Sequence, residues 1–87
     1  EVEEALFRHP GVREAAVIGV PDAYRGEVLV AHVVADPGVG EQDIADFLAQ
    51  RLVKYKWPSV IHLVDSLPRT GVGKIDKKVL RAMAGKG

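Results

Sequence analysis

"REAAVIGVPDAYRGEVLVAHVVAD", Arg13 to Asp36, decides the fold. Two runs rich in β-branched residues, Arg13–Val20 and Glu27–Asp36, flank "PDAYRG", which carries turn chemistry at both ends. The pattern predicts an antiparallel pair of strands. Ala16, Ile18 and Val20 fall on one face while Ala15 and Val17 fall on the other, and Val28 to Val34 is apolar on both. Such strands need cover above and below.

Working outward, "EQDIADFLAQRLVKYK" from Glu41 to Lys56 places Ile44, Phe47, Leu48, Leu52 and Tyr55 on one helical stripe. Glu41, Asp43 and Asp46 come early and Arg51, Lys54 and Lys56 late, an order that suits the helix dipole, and Pro58 is the expected stop. Upstream, Val2, Ala5, Leu6 and His9 recur at helical spacing until Pro10-Gly11. Downstream, "SVIHLVD" predicts a third strand, and "DKKVLRAMAG" a last helix with Asp76 as N-cap and Gly85 as C-cap. The strand–helix–strand step from Val28 to Val64 favours a right-handed crossover that leaves those two strands parallel. The expected fold is α+β: a small mixed three-stranded sheet, an antiparallel hairpin plus a third strand after a crossover helix, with helices on both faces. Strand order is not set by the pattern.

Eighty-seven residues form one small domain, too small to enclose a large active-site cleft. Lysine plus arginine and aspartate plus glutamate balance at 12 each, so the chain as a whole is not drawn to nucleic acid or an anionic membrane. With no cysteine there is no disulfide framework and no thiolate metal site, which fits a reducing compartment and makes the cytoplasm the default. The apolar runs fall well short of the ~20 residues of a transmembrane helix, and no signal peptide is visible. The chain begins in helical register without an initiator methionine, and is read as a piece of something longer.

Several chemistries lack support. His9, His32 and His62 share no metal-ligand spacing; His32 and His62 are expected as half-buried, hydrogen-bonded strand residues. The only serines, Ser59 and Ser66, have no glycine-flanked elbow. In "PRTGVGKIDKKVLR", Pro68 to Arg81, Pro68 stands where a phosphate-binding P-loop needs its first glycine and Ile75 where it needs a hydroxyl. What remains is Lys74, placed after Gly71 and Gly73, followed by an apolar anchor, Ile75, and a helix. A lysine held out on such a loop is well placed to meet a charged group.

The spacing Pro68-Arg69-Thr70-x-x-Gly73-Lys74-Ile75, with Leu80-Arg81 beyond, resembles the C-terminal signature of the acyl-adenylate-forming enzymes: acyl- and aryl-CoA ligases, adenylation domains of nonribosomal peptide synthetases, and firefly-type luciferases. "EVEEALFRHPGVREAAVIGVPDAYRGEVLVAHVV" is similar to the start of the same small C-terminal domain, and "YKWPSVIHLVDSLPRT" to its approach to the lysine, so nearly the whole chain is covered.

The resemblance implies that residues 1–87 are the C-terminal mobile domain of an AMP-forming carboxylic acid–CoA ligase. A hinge and a large N-terminal domain would precede it and hold most of the ATP, Mg2+, coenzyme A and acid, and the isolated domain would be inactive. Lys74 would be the adenylation lysine, supported by Pro68, Arg69, Thr70, Gly71, Gly73 and Ile75. After rotation of the domain, Gly19, Pro21, Asp22, Tyr24, Arg25, Gly26 and Glu27 would face the site of thioester formation. Arg51, Lys54 and Lys56 would offer contacts to coenzyme A phosphates. Lys74 would also be a site of reversible acetylation, written by a lysine acetyltransferase and removed by a sirtuin-type deacylase. "DKKVLR" is closer to fatty- and aryl-acid ligases than to the peptide-synthetase motif Gly-Lys-x-Asp, which Gly73 to Asp76 also match; a carrier-protein thiol as acceptor and a non-catalytic interaction module of the same fold stay open as alternatives.

Overall fold

Strand β2 (Gly26–Ala35) is the centre of the sheet, between β1 (Val12–Asp22) and β3 (Val60–Leu63), in a computed structural model that describes residues 1–85. β1 and β2 pair antiparallel from Val12↔Ala35 to Asp22↔Gly26, with a bulge between Val12 and Glu14. β2 and β3 pair parallel from Val30↔Val60 to Val33↔Leu63, the arrangement the strand–helix–strand step favours. The sequence places the turn too broadly, because Pro21 and Asp22 still belong to β1 and the link is only Ala23–Arg25. Asp22 makes it short: its carboxylate accepts the Tyr24 and Arg25 amides at 3.2 and 2.8 Å.

Because both sheet faces are apolar, each is covered. On one face, α1 (Val2–Phe7) and α2 (Glu41–Ala49) bring Ala5, Leu6, Ile44 and Leu48 onto Ala15, Ala31 and Val33. On the other, α3 (Lys77–Gly85) brings Leu80, 2% exposed, onto Ala16, Ile18 and Val30, with Leu67 beside them. The α+β class with helices on both faces is as expected. Asp76 caps α3, its carboxylate accepting the Lys78 and Val79 amides. Gly85 is the last helical residue described, so its expected role as C-cap turns on residues 86–87, outside the described range.

The helix expected to run from Glu41 to Lys56 stops at Ala49, well before Pro58. Both the Arg51 and the Leu52 amides turn back to the Leu48 carbonyl, and Leu52 stays buried. The Trp57 indole then donates to the Leu52 carbonyl at 2.8 Å, filling the acceptor that a continuing helix would offer to the Lys56 amide. Lys54–Lys56 form a single 3-10 turn instead, and Tyr55 points to solvent rather than joining the stripe. The dipole argument therefore does not extend to Lys54 and Lys56.

His32 differs from expectation as well. It is only 7% exposed, and its Nδ1 has no hydrogen-bond partner among the described residues, whereas His62, opposite it in register, is exposed. The two rings lie 5.2 Å apart. Burial, with a smaller contribution from His62, pushes the His32 pKa below its ordinary 6.5. The folded state then binds a proton less readily than the unfolded chain, so this contribution is fully present above the unfolded value and lost as pH falls through it toward the depressed folded value. We expect denaturation midpoints to drop between about pH 7 and 5, and His32→Leu to flatten that slope; an equally steep slope in the variant would remove His32 as its cause.

Candidate functional site

The segment from Pro68 to Asp76 is a miniature hairpin. Arg69 and Ile75 form an antiparallel bridge, the Thr70 amide donates to the Lys74 carbonyl at 2.7 Å, and the Gly73 amide donates to the Thr70 carbonyl at 2.9 Å. The Asp76 amide closes the base on the Pro68 carbonyl at 2.8 Å. This leaves a three-residue tip, Gly71–Gly73, whose last member has φ 88°. A left-handed residue there is what lets so short a loop join paired strands, and glycine adopts it without steric cost. Lys74 follows directly, exposed, with no hydrogen bond or ion pair to its side chain among the described residues. Ile75 packs inward against the core under α3, and Lys74 beside it is exposed.

The charges flanking Lys74 are compensated. Arg69 donates to the Gly73 carbonyl at 2.8 Å and pairs with Glu14, and Lys77 meets Glu3 at 2.8 Å. Burial of Glu3 works to raise its pKa, but the hydrogen bonds from Lys77 and from the Val17 amide outweigh it and the net shift is downward. Among the described residues the Lys74 side chain thus has no partner while Arg69 and Lys77 do, and Lys78, also exposed, has none either.

The predicted hairpin residues do not form one loop. Gly19, Pro21 and Asp22 lie in β1, Gly26 and Glu27 in β2, and Tyr24 and Arg25 at the exposed tip. Gly19 is crossed by the Glu27 side chain, whose carboxyl carbon lies 2.5 Å from where a Cβ would stand. Gly26, with φ 79°, begins the returning strand.

Arg51, Lys54 and Lys56 have three different surroundings. The Arg51 guanidinium stacks over Phe47, 3.5 Å from the ring centre, and donates to the Phe47 carbonyl. Lys56 pairs with Glu1, whose hydrogen bond raises the lysine's pKa. Lys54 instead lines an open groove of about 530 Å³ with Arg25, Tyr55, Trp57, Pro58 and Ser59. Sequence reasoning named Arg25 and Lys54 but missed Tyr55 and Trp57 as their neighbours. An aromatic–basic–aromatic run, Tyr55-Lys56-Trp57, was the available signal, and a helical reading concealed it. Among the described residues no group of three or more histidines and carboxylates could hold a metal ion, and no helix is long and apolar enough to cross a membrane.

The fold is thus a small mixed sheet with an exposed lysine after a glycine turn and a basic–aromatic groove beside its main hairpin. The chain belongs to the AMP-binding enzyme C-terminal domain family, whose model matches residues 1–74 and so ends on Lys74. A CoA ligase of Rhodococcus jostii named for a methyl-dioxo-octahydroindenyl propanoyl group is 54% identical over 83 residues, 93% of this chain and 16% of that ligase. A long-chain-fatty-acid–CoA ligase of Mycobacterium tuberculosis is 45% identical, again over 93% of this chain and 16% of its own length. The solved Mycobacterium tuberculosis fatty acyl CoA synthetase superposes with TM-score 0.91 at 42% identity, covering 99% of this chain and 17% of that one. The chain therefore spans about one sixth of the relatives it matches.

If the tip depends on a left-handed residue at position 73, Gly73→Ala should weaken it by about 1 kcal/mol even though space for the methyl is open. Hydrogen exchange at the Thr70 and Asp76 amides, which close the hairpin, should quicken about fivefold. Unchanged exchange would mean that the turn tolerates the strain.

Proposed function

We propose that this chain is the mobile C-terminal domain of an AMP-forming carboxylic acid–CoA ligase and that Lys74 serves its first half-reaction. In that step a carboxylate oxygen attacks the α-phosphorus of ATP, the bond to the β,γ-phosphates breaks, and acyl-adenylate and pyrophosphate form. Two anions must approach, and charge spreads over the phosphoryl oxygens and the departing pyrophosphate. An ammonium with three donors on a flexible stem stabilises both partners. The observation that carries the reading is the unpaired, exposed Lys74 at the end of a fixed turn, in a family of AMP-binding enzymes. ATP and the acid would be held chiefly by a larger N-terminal domain, as would Mg2+, for which the described residues offer no cluster. A cytoplasmic location accords with the absence of cysteine.

Lys74→Ala in the parent ligase should slow acid-dependent pyrophosphate release by about 10²–10³, while thioester formation from supplied acyl-adenylate persists. Acetyl-lysine at Lys74 removes the same charge and should block the same step, with activity returning on treatment with a sirtuin-type deacylase. An equal loss in both half-reactions, or near-normal adenylation by the acetylated enzyme, would sink the assignment.

In the second half-reaction the coenzyme A sulfur attacks the acyl carbonyl and AMP departs. We propose that the hairpin from Gly19 to Glu27 faces that step and that the nucleotide end of coenzyme A lies in the groove of Arg25, Lys54, Tyr55 and Trp57, where two cations and two aromatic faces match a phosphate and a purine. Lys56 and Arg51 are occupied by Glu1 and Phe47, so Lys54 takes the larger share. Arg25→Ala with Lys54→Ala should raise the KM for coenzyme A about tenfold and leave pyrophosphate release unchanged. An unaltered KM would exclude the groove. A carrier-protein thiol as acceptor is the second reading, and the same variants would then leave coenzyme A use absent throughout.

A further inference from the structure

The bonds inside the Lys74 hairpin shape it but do not fix it to the sheet. Thr70–Lys74, Gly73–Thr70 and Asp76–Pro68 are all internal to the segment. Apolar anchoring comes from Leu67, 6% exposed, and from Ile75, yet such contacts resist sliding poorly because they have no preferred direction. A charged link comes from Glu14, whose Oε1 is in ion-pair contact with Arg69 and has no hydrogen-bond partner among the described residues. It lies in β1 beside the bulge, at an even-numbered position like Ala16 and Ile18, and so on the sheet face that receives α3 and the hairpin. Its carboxylate pairs with one terminal nitrogen of Arg69, and the other terminal nitrogen donates to the Gly73 carbonyl, one peptide before Lys74. One planar guanidinium thereby joins the sheet to the turn that carries the lysine. Lysine could not hold both acceptors in fixed geometry, which is the advantage of a rigid fork.

We propose that Glu14 is a positioning residue for adenylation, acting through Arg69 to set the direction and reach of Lys74. The proposal rests on the adenylation role of Lys74. Its physical basis is that a charge partner is effective only when it is in place before the reaction, and that displacement of about 1 Å costs as much as 10²-fold in rate. Glu14 has a second effect. By neutralising Arg69 it leaves Lys74 as the unpaired cation of the hairpin, so that an approaching phosphate meets the lysine rather than the guanidinium. Both groups are partly exposed, with side chains 31% and 46% accessible, so the pair adds little to global stability and its loss should leave the domain folded.

The test uses the full-length ligase with Glu14→Ala, Glu14→Gln and Lys74→Ala, each assayed in both half-reactions. Glu14→Ala should lower the turnover of acid-dependent pyrophosphate release about tenfold, leave the KM for ATP and the thioester step near parental, and quicken hydrogen exchange at the Thr70 and Gly73 amides. Glu14→Gln keeps an oxygen beside Arg69 but not the charge, and should recover only part of the turnover. Parental turnover in Glu14→Ala alongside a defective Lys74→Ala would overturn this proposal alone. An equal fall in both half-reactions would overturn it too, by making Glu14 a general structural residue. Normal adenylation by Lys74→Ala would overturn it through the reading beneath, and the exchange data would then show whether the Glu14–Arg69 link itself exists.

Discussion

The pairing of β1 with β2 is the constraint on which the molecule depends. Its register runs from Val12↔Ala35 to Asp22↔Gly26, and along it nearly every central side chain on both faces is apolar. A sheet of this composition cannot leave either face to water, so α1 and α2 must cover one side and α3 the other. A one-residue slip would exchange the two sets of side chains and mismatch both layers at once. The domain's small size makes that penalty matter, because little buried surface is available to offset it.

The same constraint places the lysine. Leu80 and Ile75 can be buried only against Ala16, Ile18 and Val30, which fixes where α3 starts and hence where the hairpin before it must stand. Asp76 serves twice, donating its amide to the base of the hairpin and accepting the first free amides of α3 with its carboxylate. Local turn chemistry and tertiary packing therefore agree on one outcome, an exposed ammonium next to a docked apolar residue. Agreement across levels of this kind is what a well-specified segment shows.

The groove beside the main hairpin arises differently. It exists because α2 ends at Ala49 and the chain folds back, with the Trp57 indole capping Leu52. That brings Tyr55 and Trp57 to the foot of the hairpin tip where Arg25 projects. Lys54, Tyr55 and Trp57 belong to the end of one crossover and Arg25 to another connection, so their meeting is a product of the parallel β2–β3 pairing rather than of any local motif.

Sequence alone determined the elements whose reason is local or periodic. Alternating faces in Arg13–Asp36 yield the hairpin, Asp76 its helix start, and Gly73-Lys74-Ile75 the presented lysine, because period, capping and glycine geometry act over a few residues. The full resemblance along the chain added the family, and the match over residues 1–74 agrees with it. Tertiary structure decided the rest. It kept α2 from running on, because the chain folds back and the Trp57 indole takes the Leu52 carbonyl. It gave Arg51, Lys54 and Lys56 three different surroundings, left His32 buried with no hydrogen bond to Nδ1 among the described residues, and joined Glu14 to Arg69 across 55 positions of sequence, the difference between 69 and 14. Such pairings depend on which strands lie side by side, and a one-dimensional pattern carries periodicity but not adjacency.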